Sequence, residues 1–318
     1  MTAWFPPGVE CEWAPCDHCG TSDERALFEG PDRLHHLPGQ FRVVECPECG
    51  WLRQNPRPTA ETMGYYYPLN FVSFVRAIED ERRAWRRWDR RYGILKQRRA
   101  VERLQPRGRL LDVGCGTGIF LHEMAGAGWD VVGVEPHQGA GDYARGRFGV
   151  QVHTGTLGQI RLPSESFDVI TLWDVLEHLP TPWADLQRLH RLLKDGGLLV
   201  VQIPNLESLE ARWFGPLWFG WELPRHLYFF PRRRIASALS ELGFCLERVQ
   251  AIASTHSAFV LTLRFWLEAR RRLPSRSRDL VLRLGHTMLV RLTCAPLFWV
   301  ISQARLATVI TLFARKRR

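Results

Sequence analysis

Of the eight cysteines in the 318 residues, four fall in two matched pairs, Cys16-Asp-His-Cys19 and Cys46-Pro-Glu-Cys49. Each pair runs into a glycine, Gly20 or Gly50. Two knuckles of this form set four thiolates at the corners of a tetrahedron around Zn2+, and the glycines let the backbone turn tightly behind the metal. A lone CxxC suits a redox pair; two pairs at this spacing indicate a zinc ribbon. With protein filling all four positions the site is structural, because a catalytic zinc keeps one position for water. Cys11 and His18 lie close enough in sequence to serve as substitute ligands.

A second group of residues suits a nucleoside ligand. The apolar run 109–113 leads into Asp112-Val-Gly-Cys-Gly-Thr-Gly118. Glycines at 114, 116 and 118 let the backbone approach a ligand at a strand–helix turn. A dinucleotide fingerprint would need its third glycine at 119, where Ile119 stands, so nicotinamide cofactors lose support. The next apolar run ends in Glu135-Pro136, and a carboxylate there accepts hydrogen bonds from ribose hydroxyls. Two imidazoles are candidates for a general base, His178 and His226. The alternative for His178, with its neighbour Glu177, is to close the floor of a site by hydrogen bonding. The alternative for His226, in the Trp-, Phe-, Gly- and Pro-rich stretch 213–230, is a satisfied structural histidine.

These residues need elements to hold them. Short apolar or β-branched runs at 109–113, 129–134, 150–154, 167–173 and 198–203 alternate with amphipathic segments at 119–127, 138–148 and 183–193. Such alternation gives a parallel sheet covered on both faces, with ligands beyond the carboxyl ends of its strands. Upstream, Ile78, Trp85, Trp88, Tyr92 and Leu95 recur at helical steps on an Arg-rich segment closed by Pro106-Arg-Gly108, which predicts a helix docking through that stripe.

The motifs, in this order, resemble the class I S-adenosylmethionine-dependent methyltransferases over roughly residues 109–245. The resemblance implies a Rossmann-like α/β fold with a seven-stranded sheet. It implies that S-adenosylmethionine is held by Asp112, Gly114, Cys115, Gly116 and Gly118, with Glu135 and Pro136 at the ribose. Thr156 and Leu157 fall where the adenine lies, Thr156 replacing an aspartate common in the family. Trp173 and Asp174, in Leu172-Trp-Asp-Val-Leu-Glu-His178, fall beside the methionine end. The paired CxxC knuckles, Asn55-Pro-Arg-Pro58, the Tyr65–Tyr67 run and Pro224-Arg-His-Leu-Tyr-Phe-Phe230 resemble a bacterial branch with an N-terminal zinc module. That branch is associated with sugar C-methyltransferases and other small-molecule or glycan-pathway enzymes.

Within that fold, 248–253 and 308–314 read as strands six and seven, with 254–307 between them far too long for a hairpin. Two amphipathic helices are expected in that insertion. In the first, Arg264, Glu268 and Arg271 oppose Phe259, Val260, Leu263, Trp266 and Leu267; in the second, Arg283, Thr287 and Arg291 oppose Val281, Leu284, Met288 and Leu292. Arginine opposite Trp, Phe and Leu suits a helix lying in the headgroup region of an anionic membrane surface. A helical cap on the core, or a dimer partner, would produce the same pattern. The expected organisation is a zinc ribbon (1–60), a helical connector (61–108), the methyltransferase core (109–257), the helical insertion (258–304), and a last strand with basic tail (305–318).

Charge follows the same division. The chain carries +10, yet residues 258–318 alone carry 13 Arg/Lys against Glu268 and Asp279, and residues 76–109 carry 13 against five acids. Only Lys96, Lys194 and Lys316 are lysines, so the cation is nearly always a guanidinium, which pairs bidentately with phosphate. Two basic segments on an acidic body suit an anionic partner, or are solvated helices. Residues 1–10 have neither the basic nor the apolar region of a secretory signal, and the 13-residue uncharged run 292–304 contains Pro296, against roughly 20 residues for a spanning helix. A cytoplasmic protein, soluble or peripheral on the inner membrane face, is therefore expected, with its cysteines as thiols or ligands. The expected activity is methyl transfer to a small-molecule, sugar or lipid-linked glycan precursor. Two alternatives stand beside it. An RNA methyltransferase would grip phosphates with the ribbon and basic helices, although no separate RNA-binding fold is evident. A non-catalytic S-adenosylmethionine-binding scaffold would keep the same glycine turn.

Overall fold

Short runs apolar at successive positions and rich in β-branched residues, such as those holding Leu110–Leu111 and Val169–Ile170, suit strands buried on both faces. The computed structural model describes residues 4–67, 81, 84–252, 255–270, 275–285 and 287–318. It divides into two compact units: Met1–Tyr66, Ile203–Ile235 and Ala253–Ile310 in the first, and Tyr67–Gln202, Ala236–Ile252 and Thr311–Arg318 in the second. This grouping differs from the expected linear organisation, because the insertion and residues 203–235 fall with the N-terminal segment.

The second unit is built on a seven-stranded sheet of β1 (Arg109–Val113), β2 (Asp130–Glu135), β3 (Gln151–Thr154), β4 (Phe167–Trp173), β5 (Leu193–Pro204), β6 (Phe244–Gln250) and β7 (Val309–Lys316). Their order across the sheet is β3-β2-β1-β4-β5-β7-β6. The β1–β2, β2–β3, β1–β4 and β4–β5 pairs are parallel, and β6 runs antiparallel to β7. Strand order reverses between β1 and β4, which places a ligand crevice at the carboxyl end of β1. Alternate residues of the strands face one core, where Leu110, Val169, Leu198 and Val200 meet Phe120, Leu121 and Met124 of α2 (Ile119–Gly126).

The long basic helix α1 (Ala84–Glu102) joins that core through Ala100 and Val101, with Ile94 packed beside them. This corrects the expected docking stripe. Trp88 and Tyr92 are exposed and stack on each other, ring centroids 5.3 Å apart. Ile78 and the side chain of Trp85 lie outside the described residues. The aromatic residues set the helical period, but the contact with the sheet begins only where the stripe turns aliphatic. Helices α3 (Gln138–Phe148) and α4 (Pro182–Leu192) fill the β2–β3 and β4–β5 connections. Strand β6 starts four residues before the expected 248, because Phe244 is its fully buried anchor.

The first unit holds an antiparallel sheet in the order Tyr228–Phe229, Leu52–Gln54, Phe41–Glu45, Arg25–Gly30. Residues 228–229 therefore complete the N-terminal module from far along the chain. Trp51 is buried there, edge-on to Phe230 at 5.1 Å. Arg225 and Asp32 form a wholly buried ion pair, with bonds of 2.6 and 3.1 Å. The segment after β5 contains α5 (Leu209–Phe214); of α6 (Arg232–Glu241), residues 232–235 belong to the first unit and 236–241 to the second.

Among the described residues between β6 and β7 there are three helices rather than the expected two: α7 (Thr255–Arg270), α8 (Ser275–Gly285) and α9 (Met288–Gln303). The expected second helix breaks because Thr287 caps a new one, its hydroxyl accepting from the Val290 N–H. The apolar face expected of the first helix is turned inward in α7, as in a helical cap: Val260 and Leu267 are buried, with Phe265 beside them. Its Thr262 hydroxyl donates to the buried Glu210 of α5 at 3.3 Å. Burial pushes Glu210 up to about 7, opposed by the Thr308 and Thr262 hydroxyls.

Candidate functional site

The β1–α2 turn is shaped by three left-handed glycines, Gly114, Gly116 and Gly118, at φ of 68°, 54° and 74°. Side chains are also excluded by contact. A Cβ on Gly114 would stand 2.6 Å from Val175 Cγ2, and one on Gly118 2.7 Å from Ala144 Cβ. The turn is tied to β2 by the Gly114 N–H, which donates to the Val134 carbonyl at 2.7 Å. Cys115 is buried and its thiol lifted well above its ordinary value, first by burial and then by Asp112 and Glu135.

Glu135, at the carboxyl end of β2, is 2% exposed. Its Oε2 accepts the Gly116 N–H and its Oε1 the His137 N–H, both at 2.8 Å. A carboxylate has about four lone-pair sites, so each oxygen keeps capacity for a further donor. Burial raises its pKa, and those two N–H groups pull it back. Pro136 beside it is exposed. Asp112 is also buried, accepting from the Thr171 hydroxyl of β4 at 2.6 Å. Burial pushes Asp112 up to about 7, Thr171 opposing and Glu135 adding to the rise.

Past β3, Thr156 is exposed and its N–H donates to Gln159 Oε1 at 2.9 Å, while Leu157 is buried. At the end of β4, Trp173 sets its ring edge-on to Phe120 at 5.3 Å. Its buried indole N–H meets no acceptor among the described residues. Asp174 holds a left-handed φ of 56° and accepts from Gln202 Nε2 at 2.7 Å. Thr311 of β7 donates to that same Gln202 at 3.2 Å, so the β4 turn is braced from β5 and β7.

His178 follows in a short 3-10 turn, Leu176–His178, its Nδ1 3.1 Å from the Tyr67 hydroxyl. The second unit thus brings together Asp112, the glycine turn, Glu135, Trp173, Asp174 and His178 on the carboxyl ends of β1, β2 and β4. His226 belongs to the first unit. It is buried, with Nδ1 2.9 Å from the Gly220 carbonyl, so Nδ1 carries the proton. Burial lowers it to about 4, the Gly220 bond opposing and Arg225 assisting. It is a neutral imidazole near neutral pH.

In the first unit the four cysteine sulfurs converge, all within 4.8 Å of one another. Cys16 and Cys49 Sγ are 3.5 Å apart, and Cys19 and Cys46 3.4 Å. With Zn–S bonds of ~2.3 Å a tetrahedron has edges of roughly 3.8 Å, which these two separations approach from below. The two knuckles are alike: the Gly20 N–H donates to the Cys16 carbonyl at 2.7 Å and the Gly50 N–H to the Cys46 carbonyl at 2.9 Å. Cys11 and His18 are outside the cluster, and His18 instead stacks on Trp51 at 4.9 Å.

A family model described as a methyltransferase domain matches residues 83–249, just over half of the chain. The chain belongs to the methyltransferase-domain family. It is 37% identical over 103 residues to a ubiquinone biosynthesis O-methyltransferase of Ruegeria pomeroyi, covering 30% of this chain and 41% of that one. It is 31% identical over 119 residues to a probable S-adenosylmethionine-dependent methyltransferase of Mycolicibacterium smegmatis, covering 37% and 46%. The matched part of the chain spans less than half the length of these curated relatives. Among solved structures, the cyclase SpnF shares the fold, with a TM-score of 0.52 at 21% identity over 82% of this chain and 97% of that one. The methyltransferase fold thus accounts for the sheet order and for the position of the glycine turn.

Three supporting residues escaped the sequence reading. Thr171 and Gln202 left a signal, as polar residues within otherwise apolar strands. Tyr67 was read only within the run Tyr65–Tyr67, since its contact with His178 spans more than a hundred residues of sequence.

Proposed function

We propose that this protein transfers a methyl group from S-adenosylmethionine to a small-molecule acceptor, of which a sugar or lipid-linked precursor is the expected kind. The observation that carries the reading is the buried Glu135 carboxylate, braced by the Gly116 and His137 N–H groups at the edge of the left-handed glycine turn. Its remaining lone pairs suit ribose hydroxyls, and the buried Trp173 N–H, which has no acceptor among the described residues, supplies a donor. The residues assigned to hold the cofactor are Asp112, Gly114, Cys115, Gly116, Gly118, Glu135, Pro136, Thr156, Leu157, Trp173 and Asp174. When bound, the cofactor supplies a methyl group already activated by its sulfonium, so alignment is the main task left to the protein. A hydroxyl acceptor also needs a base. His178 is our assignment, with the Tyr67 hydroxyl orienting its ring. His226, whose unprotonated nitrogen is Nε2, is the alternative. The relatives named as O-methyltransferases support an oxygen acceptor.

We further infer that Cys16, Cys19, Cys46 and Cys49 hold a structural Zn2+. The sulfur separations and the paired knuckles support it.

The deciding experiment incubates the purified protein with methyl-labelled S-adenosylmethionine and separate small-molecule, lipid and RNA extracts. Label in the small-molecule or lipid fraction is the expected result. Label confined to RNA would favour the nucleic-acid reading, and binding without transfer to any fraction would favour the scaffold.

A further inference from the structure

Helices α8 and α9 carry Arg276, Arg278, Arg283 and Arg291 against a single acid, Asp279, and Leu280 to Ile310 has no acidic side chain. Helix α9 lies within this stretch, and none of its residues is buried. Its inward side is the one that packs: the Phe298 ring meets Phe259 and His256 of α7 at 5.8 and 5.6 Å. On the other side Leu289, Leu292, Pro296, Trp299 and Val300 recur at steps of three and four, forming one stripe. Leu289 is 72% exposed, Leu292 60% and Trp299 65%. Leu280, Val281 and Leu284 of α8 are exposed as well. Large side chains so gathered mark an interaction surface, whereas scattered single ones need no explanation.

We propose that the exposed face of α8 and α9 docks in the headgroup–acyl boundary of an anionic bilayer. The charge decides between occupants. A second copy of the chain would set the same net-positive helix pair against this one, with only Asp279 of each copy to offset four arginines. An anionic lipid surface supplies the missing counter-charge and takes the leucines and Trp299 into its apolar edge. At 1.5 Å per residue the 16 residues of α9 reach about 24 Å. Among the described residues no helix is long and apolar enough to cross a membrane, so α9 lies in the plane. Docking through this face is independent of methyl transfer, since it needs no cofactor.

Flotation of the full-length protein with vesicles tests this. Vesicles of phosphatidylcholine mixed with phosphatidylglycerol should carry the protein upward at low salt, and high salt should release it. Vesicles of phosphatidylcholine alone should not. The double variant Leu292→Glu, Trp299→Glu should lower the bound fraction by about tenfold or more, since it removes two apolar anchors and adds repulsion. Both positions are exposed, so its thermal unfolding should match the parent's, and that match shows the loss of binding is not a loss of folding. The proposal is overturned if the protein floats with neither lipid, floats equally with both, or floats undiminished in the double variant. It is also overturned if the parent sediments as a dimer that the double variant dissociates.

Discussion

Asp112 and Glu135 are both buried carboxylates, Glu135 adding to the rise of Asp112, and they call for opposite treatment. Glu135 already braces two N–H groups and is assigned the ribose. Replacing it by alanine removes charged hydrogen bonds of about 1.5–3 kcal/mol. The affinity for S-adenosylmethionine should fall accordingly by calorimetry, and unchanged affinity would remove Glu135 from the site. Asp112 costs the apo protein stability instead. Its folded-state value of about 7 lies above the ordinary unfolded one. Below roughly pH 3.9 both states hold the proton and no penalty exists. As pH climbs from there towards the folded value, the unfolded chain releases its proton first and stability is lost. Asp112→Asn should therefore gain on the parent by roughly 2–4 kcal/mol between pH 4 and pH 8. Denaturant titrations at the two pH values check this, and a pH-independent difference would refute it. Gly118→Ala combines a left-handed φ with a Cβ clash on Ala144. It should cost about 1–3 kcal/mol of stability, read from the same titrations.

At the scale of elements, what was legible in the sequence depended on how local the determining force was. Strands β1 and β4 coincide with their apolar runs, because those runs are too short for a helix and are bounded by turn residues. The glycine turn and the cysteine knuckles were legible for the same reason, since each is specified within a few residues. The α1 stripe was misread because Trp88 and Tyr92 satisfy each other on the surface, and periodicity does not distinguish that from docking. The strand at 228–229 was invisible as a partner of Leu52–Gln54, since only tertiary pairing creates it. That pairing changes what metal loss should do. Protein purified without chelator should contain one zinc per chain. Chelation, or Cys46→Ser, should then expose Trp218 as well as Trp51, both 1% exposed in the folded chain. A red shift of tryptophan emission would report it; absence of zinc by elemental analysis would sink the metal assignment.

For the whole molecule, the chain passes repeatedly between the two units, so neither is a contiguous stretch of sequence. The strand nearest the end of the sequence, β7, sits inside the sheet between β5 and β6. Its Phe313 is fully buried in the core, and its Lys316 ammonium donates to the Leu193 carbonyl at 2.9 Å. Deleting residues 309–318 should thus leave β5 with a bare edge and β6 without a neighbour. The expected result is loss of the cooperative unfolding transition by circular dichroism and soluble aggregates by gel filtration. A truncated chain that melts like the parent would show that β7 is dispensable.

The interior position of β7 also bears on how the protein is made. A ribosome adding about 5–20 residues per second needs roughly 5–20 s to travel from the end of β5 to the start of β7. Throughout that interval the nascent sheet exposes the β5 flank that β7 will cover, a row of unpaired N–H and C=O groups next to apolar side chains. The glycine turn can be complete while the sheet carrying it is still open. During that window the growing chain depends on a holding chaperone, or on fast synthesis, to keep the flank from pairing with another nascent chain.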